Sequence, residues 1–300
     1  MATIDLYLMS PPGPEWQLRG RANFRSATAA PVDARAAIRE WLGLADAIEE
    51  RGGRVLCLIP ERGTELTGLP YAAECGQIVE QSGELLFLLP SMFAPYRKGE
   101  RALWRPVAET LGLKPVDVDD VWEAQGDVAT FHGRTLLFFG GRTDPAGVMS
   151  AVNYFPDDAL LFEIRQPAFH GNMAALPLDA AGKILVCPEV FLDDGLARLT
   201  KSFGSEVIVP VSVDEIRAYA TNGLPMGNDV LVPHLVPERV TDLMKGWGLN
   251  VITLPMVELC EKAGGASRCL VSYARVDEAK ITIPPELDYR EQRARILADA

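Results

Sequence analysis

The chain has 300 residues, of which 48% are hydrophobic and 23% are charged, and this balance is typical of a globular protein long enough to bury a sizeable core. The 41 acidic residues outnumber the 29 basic ones, for a formal net charge of −12, so we expect neither nucleic acid nor an anionic membrane as a partner. No apolar run approaches the ~18 residues that span a bilayer. The first residues lack the pattern of a targeting segment, which predicts a cytoplasmic protein.

Short apolar runs alternate with amphipathic stretches along the whole chain. The first helix is well defined, because Ala37, Ile38, Trp41 and Leu42 begin a series of apolar residues at helical spacing. We predict strands over 4–9, 55–59, 77–79, 85–89, 128–131, 136–139, 160–164, 184–187, 207–209, 230–232, 251–254 and 269–273, and helices over 33–51, 99–111, 145–154, 189–203, 213–219 and 237–247.

The order of these elements sets pairs of strands between helices rather than a strict one-to-one alternation. This order predicts an α/β fold built from repeated ββαβ units. No linker is long enough to mark a domain boundary, so we predict a single domain over residues 1–285. The polar residues 286–300 are predicted to be a peripheral tail, either helical or frayed.

Cysteine and histidine spacing gives no sign of a metal site or a disulfide framework. The five cysteines are odd in number and form no Cys-x-x-Cys pair, and the three histidines show no His-x-x-x-His spacing. Gly140-Gly141 follows a predicted strand, but the chain has neither a G-x-G-x-x-G motif nor a P-loop lysine motif. We therefore predict no metal and no cofactor.

Cys269 follows two glycines, which permit a sharp turn and close approach of a ligand. A thiolate is a strong nucleophile once a neighbour lowers its pKa. Taken alone, Cys269 is better explained as a small buried residue, but three other segments also carry polar residues where apolar ones are expected. The four segments are Tyr71-Ala72-Ala73-Glu74-Cys75-Gly76, Trp122-Glu123-Ala124-Gln125-Gly126-Asp127, Phe169-His170-Gly171-Asn172 and Gly264-Gly265-Ala266-Ser267-Arg268-Cys269.

In order and spacing these segments resemble the pentein superfamily of guanidino-group-modifying enzymes, which includes arginine deiminases, dimethylarginine dimethylaminohydrolases and amidinotransferases. The resemblance extends to the R-x-x-E of Arg97-Lys98-Gly99-Glu100 and to the E-x-x-x-K-x-G-G-x-x-x-C stretch from Glu258 to Cys269. It covers nearly the whole chain. It implies a five-fold pseudosymmetric α/β propeller of ββαβ units, forming one pentein catalytic domain with its active site at the central channel.

The resemblance also implies a chemistry, a cysteine-dependent hydrolase that cleaves a C–N bond at an amidine- or guanidine-type carbon. Cys269 would be the nucleophile of a covalent thiouronium-like intermediate. His170 would serve as general acid and base, and Glu123 would orient it. The predicted substrate-binding residues are Glu74, Asn172, Arg142 and Tyr71.

Two residues depart from the family pattern. Asn172 stands where a His-x-Asp motif usually supplies a carboxylate, and an amide cannot balance a cation, although its oxygen can accept one N–H. We therefore predict a substrate less cationic than free arginine. In the acidic motif some relatives carry the acid at the position of Ala124, which would leave the orienting acid absent here. An E-x-x-G-D form also occurs in the superfamily, so we prefer Glu123 as the residue that orients His170. The alternatives to Glu123 are Asp117, Asp119 and Asp120.

Three other functions remain open at this point. One is a hydrolase on the same fold that releases nitrite from a 2-nitroimidazole-type ring. Another is an amidinotransferase, which would pass the same covalent intermediate to an amine instead of water. The third is a non-catalytic pentein that binds a ligand. In each case we expect a small molecule as the partner, and a homo-oligomer stays open.

Overall fold

The computed structural model describes residues 2–19 and 23–300. Within them the strands form five three-stranded sheets. The strands are β1 (Thr3–Met9), β2 (Arg54–Cys57), β3 (Gln77–Gln81), β4 (Glu84–Leu89), β5 (Lys114–Asp117), β6 (Val128–Phe131), β7 (Arg134–Phe139), β8 (Leu160–Glu163), β9 (Ala175–Leu178), β10 (Lys183–Val186), β11 (Ile208–Pro210), β12 (Leu224–Met226), β13 (Asp229–Pro233), β14 (Asn250–Leu254) and β15 (Ser272–Asp277). The helices are α1 (Ala34–Glu49), α2 (Glu100–Thr110), α3 (Pro145–Val152), α4 (Gly171–Ala174), α5 (Gly195–Phe203), α6 (Val213–Arg217), α7 (Glu238–Gly246) and α8 (Tyr289–Leu297).

Every sheet repeats one connection pattern. Its first strand pairs antiparallel with the middle strand, and a helix then crosses over to a third strand that pairs parallel with the middle one. The sheets are β3-β4-β5, β6-β7-β8, β9-β10-β11, β12-β13-β14 and β15-β1-β2. In the last of these, Thr3 lies opposite Asp277, so a strand from the C-terminal part of the chain completes the first unit. The predicted ββαβ repeat is confirmed.

The core runs from one unit into the next, because β1 is buried on both faces. Tyr7 and Met9 pack in a cluster with the apolar face of α1. Leu6 and Leu8 point the other way, since neighbouring side chains alternate along a strand, and they pack in a cluster with Trp104 of α2. One central strand thus supplies apolar surface to two neighbouring units.

Three strands were not predicted from the sequence, and each contains a proline: Pro115 in β5, Pro177 in β9 and Pro225 in β12. Proline cannot donate a ladder hydrogen bond and is therefore tolerated best in edge strands. All three strands lie at the edge of their sheet. Their short, proline-containing sequences hide them, and the structure reveals them only through their pairing with a buried middle strand.

Two predicted boundaries are wrong. The strand expected over 269–273 begins only at Ser272, because Cys269 lies in a turn in which its N–H donates to the carbonyl of Ala266 at 2.9 Å. The helix expected over 189–203 begins at Gly195, and a short 3₁₀ turn over Pro188–Val190 precedes it. In both places turn chemistry replaces the first residues of the predicted element.

The C-terminal residues pack against α1 instead of forming a peripheral tail. Tyr289 and Ile296 of α8 are buried in the same cluster as the α1 side chains. The Tyr289 ring centre lies 5.8 Å from that of Trp41, and its hydroxyl donates to Asp46 at 2.7 Å. Two charged residues of α8 also face α1, since Arg290 pairs with Glu49 and Arg293 with Asp46. The sequence alone shows a polar segment, because the contacts that hold it are to a distant helix.

Candidate active site

Each of the five units contributes a polar residue just before its first strand. The first strands all line a central channel of about 920 Å³, so the residues that precede them converge near one end of it. The convergent residues are Glu74 before β3, Glu123 before β6, Asn172 before β9, Asn222 before β12 and Cys269 before β15. Asn222 is the contribution that the sequence analysis missed.

His170 is fully buried and lies between two carboxylates. Its Nε2 is 2.7 Å from Oε2 of Glu123, and its Nδ1 is 3.4 Å from Oε1 of Glu74. Burial alone would lower the pKa of His170, but the charges of Asp127, Glu74 and Glu123 outweigh it and raise the pKa above its usual value. The arrangement favours the imidazolium form, in which both ring nitrogens carry protons.

Glu123 lies where the predicted orienting residue should be. Its second oxygen accepts the backbone N–H of Phe93 at 2.8 Å. Burial would raise the pKa of Glu123, yet the hydrogen bond and charge of His170 lower it to about 2. Of the alternatives, Asp117 is paired with Arg105 at the surface. The residue that contacts the histidine is therefore Glu123, and it is ionised.

Glu74 is not free in the pocket, because Arg97 already holds it. Arg97 Nη1 is 2.5 Å from Glu74 Oε2, and the same guanidinium binds both oxygens of Glu100 at 2.7 and 2.8 Å. All three side chains are almost completely buried. The resulting group carries one net negative charge shared by two carboxylates.

Asp127 supports the histidine segment from behind. It accepts the N–H of Gly171 at 2.8 Å and the hydroxyl of Thr143 at 2.7 Å, and Thr143 in turn accepts the N–H of Glu123 at 3.0 Å. Burial raises the pKa of Asp127 to about 6. These contacts fix the backbone on both sides of the Glu123–His170 pair.

Cys269 is buried, with 3% of its surface exposed. Burial and the nearby charge of Glu74 raise the pKa of its thiol to about 12, although the hydrogen bond of Asn222 and the charge of Arg268 act in the opposite direction. At neutral pH the resting side chain is therefore the thiol. A positive charge placed beside the sulfur would favour the thiolate.

Asn172 is brought against the sulfur of Cys269. Its Nδ2 lies 3.9 Å from Sγ, at the limit for a hydrogen bond to sulfur. Its Oδ1 is buried, and no hydrogen-bond partner for it is found among residues 2–19 and 23–300. The amide that replaces the family carboxylate thus presents one unsatisfied acceptor beside the predicted nucleophile.

Tyr71 and Arg142 line the small cavity of about 50 Å³ that reaches Cys269. The Tyr71 hydroxyl donates to the carbonyl of Leu259 at 3.1 Å, and its ring lies so close to Gly265 that a Cβ there would overlap it. The Arg142 guanidinium lies 4.7 Å from the ring centre of Phe169. Of the seven predicted site residues, Tyr71, Glu74, Arg142 and Cys269 line this cavity. Asn172 lines the central channel next to Cys269, and Glu123 and His170 are buried behind Glu74.

The charged groups that line this cavity are unequal in sign. Arginines contribute three side chains, Arg19, Arg97 and Arg142, whereas Glu74 is the one acid in the lining. This count refers to the part of the chain that the structure describes. Each arginine has an acidic partner: Arg19 pairs with Glu65 at 3.0 Å, Arg97 with Glu100 at 2.7 Å and Arg142 with Glu123 at 3.7 Å. Arg142 is therefore the least tightly paired of the three.

No group of three or more His, Cys, Asp or Glu side chains within 2–19 and 23–300 is arranged to hold a metal ion. In the same residues, no helix combines the length and apolar character needed to cross a bilayer.

Comparison with known proteins adds to this geometry. No family model matches the chain. The N(G),N(G)-dimethylarginine dimethylaminohydrolase of Mycobacterium tuberculosis is 25% identical over 240 residues, which cover 80% of this chain and 76% of that protein. The N-terminal domain of ArgZ, solved with a covalently bound reaction intermediate, superposes with a TM-score of 0.79 at 20% identity over 91% of this chain and 98% of its own. These findings support the pentein superfamily of guanidino-modifying enzymes.

A second solved pentein, a dimethylarginine dimethylaminohydrolase in an adduct with S-methyl-L-thiocitrulline, superposes with a TM-score of 0.69 at 14% identity. The alignment covers 90% of this chain and 99% of that one. The fold predicted from the ordered motifs is thus confirmed, as is the superfamily. The roles of the individual site residues of this pentein stay predictions.

Proposed function

We propose that this pentein is a cysteine-dependent hydrolase that cleaves a C–N bond at a guanidine- or amidine-type carbon. The observation that carries the proposal is a pocket lined by Cys269 and Glu74, with the buried His170 directly behind it, 3.4 Å from Glu74 and 2.7 Å from Glu123. The relatives support it, because they are described as a dimethylarginine dimethylaminohydrolase and an arginine dihydrolase.

In the first half-reaction the Cys269 thiol passes its proton to a nitrogen of the neutral substrate, and the positive charge so formed stabilises the thiolate. The thiolate then attacks the sp² carbon and forms an S–C bond. The adduct then expels an amine, which takes a proton from the imidazolium of His170. The raised pKa of His170 keeps that proton available at neutral pH. Glu123 stays ionised throughout, because its pKa lies near 2, and it holds the ring in position for the transfer.

In the second half-reaction the neutral His170 removes a proton from water, and the resulting hydroxide attacks the thiouronium-like carbon. The C–S bond breaks, the departing Cys269 sulfur takes up the proton of the new hydroxyl group, and His170 is again protonated, so the resting enzyme is restored. Glu74 accepts N–H groups of the substrate in both steps. The cycle consumes one water and needs no cofactor or metal.

The reacting group of the substrate is proposed to be less cationic than the guanidinium of arginine. Asn172 offers an amide oxygen in place of a second carboxylate, and Glu74 is already paired with Arg97. The lining carries more arginines than acids. A cation would therefore lose its hydration shell without gaining an equivalent countercharge, which is costly in a buried site.

A 2-nitroimidazole-type ring is the second candidate substrate, supported by the cavity itself. Its volume of about 50 Å³ accommodates a few water molecules, which matches a small planar ring better than an extended amino acid. The nitro oxygens would face Arg142, and nitrite would replace the amine as the leaving group.

A substrate panel tests the proposal. Arginine, methylated arginines, agmatine, simple guanidines and 2-substituted imidazoles are incubated with the enzyme and scored for ammonia, alkylamine and nitrite. We expect turnover of a neutral or weakly basic member and a loss of about 10⁴-fold or more in Cys269→Ser. Turnover that requires an added amine would identify an amidinotransferase. Activity that survives in Cys269→Ser, or an inert panel, would contradict the hydrolase.

Asn172→Asp tests the charge argument separately. The new carboxylate restores a countercharge beside Sγ, so arginine and agmatine should gain about tenfold or more in kcat/KM relative to neutral substrates. Wild-type turnover of arginine that exceeds turnover of every neutral member would overturn the substrate assignment while leaving the hydrolase intact.

A further inference from the structure

The unit that begins with β12 also sends a polar side chain towards the active site. Thr221, Asn222 and Gly223 precede β12, in the same place that Cys269 and Asn172 occupy before their own strands. Asn222 is completely buried, although asparagine is a residue type that is mostly exposed. A fully buried amide at a symmetry-related position of the site calls for a reason.

The contacts of Asn222 join the two segments that meet at the sulfur. Its Oδ1 accepts the backbone N–H of Cys269 at 3.3 Å, and its Nδ2 donates to the backbone carbonyl of Asn172 at 3.2 Å. Its own carbonyl accepts the N–H of Arg268 at 3.3 Å. Asn222 thus joins Cys269 to Asn172, two residues that are 97 positions apart in sequence.

An amide side chain offers a donor and an acceptor from one small, rigid planar group. Aspartate of the same shape has two acceptors, and serine has one hydroxyl that is too short to span both segments. The position therefore uses the chemistry of asparagine itself and not only its volume. The neighbouring Gly223 supports a close fit, since a Cβ there would lie 3.1 Å from side-chain carbons of Val230 and Val232.

We propose that Asn222 is the positioning residue that sets the distance between Cys269 Sγ and the Asn172 amide. The proposal rests on the assignment of Cys269 as the nucleophile. In this proposal Asn222 does not touch the substrate. It acts through the backbone of Cys269 and Asn172 and through its hydrogen bond to the Cys269 side chain. Displacing the sulfur by a fraction of an ångström from the reacting carbon lowers the rate of attack without abolishing binding.

The test compares Asn222→Asp and Asn222→Ser with Thr221→Val. Asn222→Asp keeps the acceptor for the Cys269 N–H but loses the donor to Asn172, and Asn222→Ser loses both. Thr221→Val is the matched control, because the Thr221 hydroxyl makes a buried hydrogen bond of 2.6 Å to the carbonyl of Met173, in the same segment but away from the sulfur. All variants are assayed where thermal melting shows them folded.

We expect a kcat lower by about tenfold to a hundredfold in both Asn222 variants, with KM changed by less than about threefold. Thr221→Val should retain kcat although its melting temperature falls. Iodoacetamide labelling of the Cys269 peptide, followed across pH by mass spectrometry, should shift its midpoint to higher pH in the Asn222 variants and stay unchanged in the control.

The proposal is overturned if Thr221→Val loses as much kcat as the Asn222 variants and if the loss follows the fall in melting temperature. Asn222 would then be a structural residue only. If Asn222→Asp fails to fold, Asn222→Ser carries the same comparison. The labelling needs no substrate, so an unaltered midpoint in the Asn222 variants counts against the positioning role even when the substrate panel is inert. A shifted midpoint with an inert panel supports positioning and rejects the proposed function alone.

Discussion

The two walls of the pocket differ in how their polar groups are paired. The acidic wall consists of Glu74, Glu123 and Asp127 around His170. Its negative charges are paired with positive ones, Glu123 with His170 and Glu74 with Arg97. The amide wall, Asn172 and Asn222 around Cys269, contains no charged pair, leaves the Asn172 oxygen unsatisfied among the described residues and holds a protonated thiol.

This difference separates the two catalytic tasks that we propose. The general acid is prepared before a ligand arrives, because the carboxylates already hold the imidazolium in place. The nucleophile is not prepared, because burial keeps the pKa of Cys269 near 12 until a bound group changes its surroundings. Three experiments can test whether the two walls really behave in this way.

Glu123→Gln should have the largest effect. Removal of the carboxylate takes away a charge and hydrogen bond that raise the pKa of His170, so the imidazolium deprotonates at lower pH. We expect activity to fall by about 10²- to 10⁴-fold, and the alkaline limb of the pH–rate profile to move to lower pH. An unchanged alkaline limb would show that His170 is not the titrating acid.

Arg97→Met should have the next largest effect, which is a loss of unfolding free energy. The substitution leaves Glu74 and Glu100 buried without their cation, which costs about 3–5 kcal/mol of unfolding free energy. Arg105→Met is the control, since Arg105 pairs with Asp117 at the surface, where such pairs contribute about 0–1 kcal/mol. Urea denaturation that gives equal losses for the two variants would remove the distinction between the walls.

The smallest predicted effect is on the rate at which the resting Cys269 thiol is alkylated. With a pKa near 12, Cys269 should react with iodoacetamide at least about tenfold more slowly than glutathione at pH 7.5, with a rate that keeps rising above pH 9. Slow labelling therefore does not favour a non-catalytic pentein. Fast labelling that is independent of pH between 6 and 8 would instead indicate a thiolate already paired with His170.

Part of this site could be read from the sequence because its residues sit in short motifs with fixed local spacing. Glu123 precedes Asp127 by four positions, and His170 precedes Asn172 by two, so the motif order alone identifies the unit to which each belongs. The exchange of a carboxylate for Asn172 is likewise visible in one letter. These local signals led to the superfamily, the ββαβ repeat and the seven predicted site residues.

Asn222 could not be predicted from the sequence. No motif surrounds it, and the strand that would have marked its symmetry-related position, β12, is hidden by Pro225. The pairing of Glu74 with Arg97 is similar: both residues belong to recognised motifs, yet their 23-residue separation carries no sign that they touch. The five-fold repeat could have indicated Asn222 as a site residue, but only after the first strand of every unit was known.

The sequence by itself determined the alternation of strands and helices, because that depends on local apolar periodicity, and it determined the residue types available for chemistry. The tertiary structure decided which of those residues meet, which carboxylate is already paired, and that the Cys269 thiol is protonated at rest. Those properties depend on burial and on contacts between distant segments, such as that between Asn222 and Cys269 at a sequence separation of 47, and no local pattern encodes them.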